Sequence, residues 1–80
     1  MRRYPLIGLR VDGDAIKKIR RAAGLTQQEV AFRAGISDRW YRLIERHGQQ
    51  PSRPDAEEIA KILGCKLSDF ADHGNAAGAA

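Results

Sequence analysis

Arg39, Arg42 and Arg46 follow one another at spacings of three and four residues. On a helix that spacing sets three guanidinium groups on roughly one side. A planar guanidinium donates in pairs, to a phosphate or to the O6 and N7 of guanine, so the row suits a nucleic acid. The surrounding chain is basic in the same sense. Residues 1 to 53 hold 12 Lys/Arg against 5 Asp/Glu (+7), whereas residues 54 to 80 hold 2 against 5 (−3). A basic face gains by releasing the counterions condensed on a polyanion; the plain alternative is a surface of solvated cations. Other chemistries lack their residues. His47 and His73 are the only histidines, neither makes a ligand spacing with Cys65 or an acidic pair, and no glycine-rich phosphate loop occurs. Catalysis, a bound metal and a cofactor are therefore not expected. Cys65, alone between Gly64 and Lys66, reads as buried packing and excludes an internal disulfide.

The elements that must carry these arginines can be read from local signals. Eighty residues, 42% apolar but with 12 of those apolar residues alanine, allow one small domain with a thin core. No run approaches the roughly 20 apolar residues of a membrane span, and Leu6 to Leu9 is too brief for a signal-peptide core, so a soluble cytoplasmic protein with no membrane partner is expected. Residues 1–13 read as an extended N-terminal arm, because Pro5 and Gly8 oppose a helix and period two sets Leu9 and Val11 opposite Arg10. Two such arms could pair across a dimer axis, or the arm could trail as a leader. Asp12-Gly13-Asp14 reads as a turn, with Asp14 capping a first helix that runs to about Ala23 and stops at Gly24. Thr26-Gln27-Gln28-Glu29 fits a capping box with Leu25 and Val30 at staple positions, opening a second helix to about Ala34; Gly35 supplies the positive φ that ends it. Ser37 caps a third helix directly after Ile36. So short a connection forces a steep crossing instead of an antiparallel pair. The third helix should run to Arg46 or His47. Ser52 or Arg53 opens a fourth, with Pro54 in its first turn and Ala56, Ile59, Ala60 and Leu63 as its apolar stripe, and Gly64 stops it. A short fifth helix is expected at about Leu67 to Ala71, burying Leu67 and Phe70, before a flexible low-complexity tail at 73–80.

Residues 14 to 71 resemble the lambda/434 repressor and Cro helix-turn-helix family, also called the XRE family. The residues that carry the resemblance are Gly24-Leu25-Thr26-Gln27-Gln28-Glu29-Val30-Ala31, Gly35-Ile36-Ser37, Tyr41, Ile44-Glu45-Arg46, Pro51-Ser52 and Ile59-Ala60-Lys61-Ile62-Leu63-Gly64. The resemblance implies an all-α, compact five-helix domain over residues 14–72, flanked by the arm and the tail. It implies a sequence-specific regulator of transcription, a prokaryotic or phage repressor or Cro-like protein. Such a protein binds a two-fold operator in double-stranded DNA as a homodimer, with its third helix in the major groove.

Carried onto this sequence, the resemblance makes Ala31 the small residue that lets helices two and three approach, Gly35 the turn glycine, and Ile36, Tyr41 and Ile44 buried positions. Arg20 and Glu45 match a pair that ties helix one to helix three, two solvated charges being the alternative. Gln27, at the start of helix two, would hold a backbone phosphate, helped by the free amides there, and Gln28 and Ser37 are further expected DNA-binding positions. Asp38, Arg39, Trp40, Arg42 and Leu43 would face the groove. Arg39 is the best base reader, with a phosphate clamp as its alternative, while Arg42 and Arg46 are expected on phosphates. Asp38, repelled by phosphate, should accept from cytosine N4 or orient Arg39 or Gln27. Leu43 could touch a thymine methyl, and Trp40 packs on sugar or supports the helix. Arg2, Arg3 and Arg10 are expected flanking phosphate contacts.

Departures from the family pattern carry expectations of their own. His47 stands before Gly48 where the family usually has glycine, so helix three should end one residue later. Arg53 and Glu57 replace commonly apolar positions of helix four and thin a surface that often dimerises. The rival reading is a protein-binding module, an antitoxin or anti-repressor on the same fold, with Trp40, Leu43 and the arm on a protein partner.

Overall fold

Short polar side chains open each α-helix by accepting from amides that the helix itself leaves free. The computed structural model describes residues 10–72; Arg2, Arg3, most of the expected arm and the expected tail at 73–80 lie outside the described residues. Asp12 opens α1 (Gly13–Ala22), its Oδ1 accepting from the amides of Asp14 at 3.0 Å and Ala15 at 3.3 Å. This corrects the expected Asp14 cap: the helix begins two residues earlier, and Gly13 belongs to it. Thr26 opens α2 (Gln27–Ala34) through the full capping box, with Thr26 Oγ1 accepting from the Glu29 amide at 3.0 Å and Glu29 Oε1 from the Thr26 amide at 2.8 Å. Ser37 opens α3 (Asp38–His47) and Ser52 opens α4 (Arg53–Leu63) in the same manner. Gly35 ends α2 at φ 74°, a left-handed conformation that glycine adopts without strain. The third helix reaches His47 before its glycine cap, the one-residue extension that His47 implied.

The expected fifth helix is replaced by a single 3-10 turn, Leu67–Asp69. Asp69 closes that turn on the Lys66 amide at 3.0 Å, and the chain must then extend. Residues Ala71–Asp72 (β2) pair antiparallel with Arg10–Val11 (β1), with Arg10 opposite Asp72 and Val11 opposite Ala71. Just beyond, the Asp12 amide donates to the Phe70 carbonyl at 2.8 Å. The other edge of β1 is also occupied. The Gln50 side chain accepts from the Val11 amide at 2.6 Å and donates to the Val11 carbonyl at 3.1 Å. Both edges of β1 at Val11 are therefore occupied within its own chain.

Among the described residues the core is built from Ile16, Val30, Tyr41, Ile44 and Ile59, all fully buried, with Ala31, Ala56, Ala60, Leu63, Phe70 and Val11 around them. Helix α3 packs on α1 and α2, and α4 on α2. No helix among the described residues is long and apolar enough to cross a membrane.

Gly13 fixes how closely α1 approaches α3. A Cβ there would lie 2.6 Å from the carbonyl oxygens of both Ile44 and Glu45. Both obstacles are backbone, so neither can rotate away. Gly13→Ala is accordingly expected to lower stability by about 1–3 kcal/mol in urea unfolding. Helix propensity alone favours alanine by roughly 1 kcal/mol. The sign of the change therefore decides whether the close approach governs.

Candidate nucleic-acid interface

Gly35, Ile36 and Ser37 alone separate α2 from α3, so α3 leaves the core at a steep angle and presents one long side outward. Its inward side is Tyr41, Ile44 and Glu45, all buried. Its outward side carries Arg39, Arg42 and Arg46, all exposed, with Asp38, Trp40 and Leu43 half-buried at its margins. Trp40 packs partly against the core. Ile36 is likewise half-buried rather than buried, while Ala31 is closed off at the foot of the turn.

Asp38 does not orient Arg39 or Gln27. Its Oδ2 pairs with Arg42 Nη2 at 2.8 Å, one helical turn along the same side, and its Oδ1 is buried without a hydrogen-bond partner. The i,i+4 geometry brings the two side chains together without any help from α2. Arg42 thus has part of its charge offset, and Arg39 and Arg46 have no carboxylate within ion-pair distance among the described residues.

Behind this face lies a buried polar network centred on Glu45. Arg20 donates to it twice, from Nε at 2.7 Å and Nη2 at 3.2 Å, and its Nη1 donates to the Leu25 carbonyl at 2.9 Å. Gln27 Nε2 donates to Glu45 Oε1 at 3.0 Å, and the Tyr41 hydroxyl donates to Oε2. One carboxylate therefore ties α1, α2 and α3. Burial alone would raise the Glu45 pKa, but the hydrogen bonds from Arg20, Tyr41 and Gln27 outweigh it and hold the carboxyl below its ordinary range. Burial, with the adjacent carboxylate, pushes the Tyr41 hydroxyl well above its usual value. Gln27, expected on a phosphate, spends one amide hydrogen inside this network, and the Ser37 hydroxyl is taken up by the Trp40 amide. Gln28 is exposed in the first turn of α2, and Arg10 is exposed on β1.

Sequence reasoning missed Lys17 and Arg21. Both line a recess with Arg20, Gln27, Arg42, Glu45 and Arg46, between α1 and α3. The Arg20–Glu45 pair was the available signal, since it implies that the neighbours of Arg20 on α1 lie beside α3. Phe32, 84% exposed on α2, was also missed; nothing in its local sequence marks it. Among the described residues no group of acidic, histidine or cysteine side chains is placed to hold a metal ion.

A family model described as helix-turn-helix matches residues 16–70. The chain is 36% identical over 52 residues to the uncharacterized HTH-type transcriptional regulator y4dJ of Sinorhizobium fredii, covering 65% of this chain and 68% of that one. Its fold is similar to that of SinR of Bacillus subtilis, the master regulator for biofilm formation, solved in complex with DNA. That match has a TM-score of 0.66 and 29% identity, covering 71% of this chain and 95% of the other. The restriction-modification controller protein C.AhdI of Aeromonas hydrophila shares the fold, with a TM-score of 0.67 at 24% identity over 71% of this chain and 86% of that one.

Proposed function

The chain belongs to the helix-turn-helix family, and from that premise we propose that it is a sequence-specific regulator of transcription that binds a two-fold operator in double-stranded DNA. One observation carries the reading: the outward side of α3, held at a fixed angle by the Gly35 turn and the Glu45 network, presents Arg39, Arg42 and Arg46 to solvent. A duplex lies along such a helix with its phosphates near the arginines and its base edges near Arg39 and Leu43. The similarity to SinR, solved in complex with DNA, supports a DNA duplex as the ligand. Selection of bound sites from random duplex DNA tests it. The expected motif is an inverted repeat with half-site centres about 10 bp apart, bound by two chains. A motif without dyad symmetry, or one chain per site, removes the two-fold reading.

Within that site Arg39 and Arg46 act unequally. Arg39→Ala is expected to cost about 1–3 kcal/mol and relax preference at one base pair, whereas Arg46→Ala weakens all duplexes alike and lowers the salt slope by about 1. Equal losses on selected and mixed DNA for both variants would show that neither reads bases. A second reading, a protein-binding module, is favoured by Phe32 alone, whose ring stands exposed on α2. Co-purification of a protein partner that Phe32→Ser abolishes, with no salt-dependent duplex binding, would establish it instead.

A further inference from the structure

Helices α1 and α3 leave between them a recess of about 220 Å³, and the charges around it are distributed unevenly. Its floor is internally neutralised, because Glu45 is paired with Arg20 and hydrogen-bonded by Gln27. Its rim is cationic. Lys17 and Arg21 lie one turn apart on α1, and Arg42 and Arg46 lie one turn apart on α3. Like charges at that spacing repel and weaken a helix. On α4 the chain pairs its exposed charges instead, Arg53 with Glu57 at 3.0 Å and Lys61 with Glu58 at 3.8 Å. On the rim only Arg42 has a carboxylate, Asp38; among the described residues Lys17, Arg21 and Arg46 have none within ion-pair distance.

Four cations around one small polar recess, with a single counter-charge among them, make a site for an anion. We infer that the recess takes a phosphate of the duplex backbone, so that α1 touches the operator beside α3. The inference rests on the duplex reading proposed above. Arg42 and Arg46 belong both to the outward side of α3 and to the rim, so a duplex lying along α3 brings its backbone to Lys17 and Arg21. Helix α1 then acts as a sequence-independent clamp that fixes the register in which α3 meets the bases.

The test is the double variant Lys17→Gln/Arg21→Gln, measured across a salt series on the selected site and on mixed duplex. Neither side chain is buried, so thermal unfolding should be little changed. The slope of log affinity against log salt is expected to fall by about 2, both duplexes should lose affinity by the same factor, and the selected motif should not change. Arg53→Gln/Lys61→Gln removes the same charge on α4, away from the recess, and should leave the slope nearly as it was. An unaltered slope in the α1 variant, or an equal fall in the α4 variant, overturns the inference. If the unaltered chain binds no duplex, the duplex reading fails with it; duplex binding with an unchanged slope removes the recess alone.

Discussion

Glu45→Ala is expected to lower stability by about 3–5 kcal/mol, enough to unfold a marginal domain. The substitution leaves the Arg20 guanidinium buried without its counter-charge. It also strips the Tyr41 hydroxyl and the Gln27 amide of their acceptor. Three helices lose their common tie at once. Arg20→Met with Glu45→Leu removes charge and counter-charge together and should recover most of the loss, because the expense lies in stranding one charge and not in lacking the pair. Urea unfolding of the three chains separates these cases. A loss below about 1 kcal/mol in Glu45→Ala would mean that water reaches Arg20 freely.

The same network sets an acid limb. Glu45 has a folded pKa below its unfolded one, so its contribution is complete at neutral pH. It should decline as pH falls below the unfolded value of about 4.3 and end once pH passes the lower folded value. The Met/Leu double variant lacks the titrating group and should show a shallower decline over that window.

Phe70→Ala is the other large effect, about 3–5 kcal/mol. The ring is 2% exposed and belongs to the same core cluster as Val11, at the residue that joins the 3-10 turn to β2. Its backbone carbonyl receives the Asp12 amide, so the side chain also seats the start of α1. Truncation leaves a cavity beneath a two-residue ladder that has little else to hold it. Stability should fall steeply, while the chain that remains folded keeps its duplex affinity, since α3 lies elsewhere. A loss near 1 kcal/mol would show that the 3-10 turn collapses to fill the space.

Which features were legible follows from how far apart their causes lie in the chain. Thr26, Ser37 and Ser52 act on amides three residues away, and Gly35 on its own φ, so the starts of α2 and α3 could be read directly and that of α4 to within one residue. The Arg20–Glu45 pair was legible only through resemblance. The sequence points to Asp14 as the cap of α1, whereas Asp12 takes that place and Gly13, inside the helix, lies against the carbonyls of Ile44 and Glu45, about thirty residues on, a contact that no local signal reveals. Leu67 to Ala71 has the composition of a short helix, but Ala71 is claimed by a strand whose partner is at the other end of the described chain. The Asp38–Arg42 pair obeys an ordinary helix spacing, but Asp38 has Arg39 beside it in sequence and Arg42 one turn on, and which guanidinium it takes depends on side-chain direction that sequence does not display.

The β1–β2 ladder has a kinetic consequence. Val11 and Ala71 close a loop of about 60 residues, and loop entropy sets a toll of roughly 3–4 kcal/mol on that closure. Two residue pairs and the Gln50 amide return little until the helices have already brought the ends together. The ladder should therefore be absent from the folding transition state, so that weakening it, as in Gln50→Ala, speeds unfolding and leaves the folding rate nearly unchanged. In native-state hydrogen exchange the Val11 and Asp12 amides should open in a partial event below the global free energy, ahead of the amides of α3.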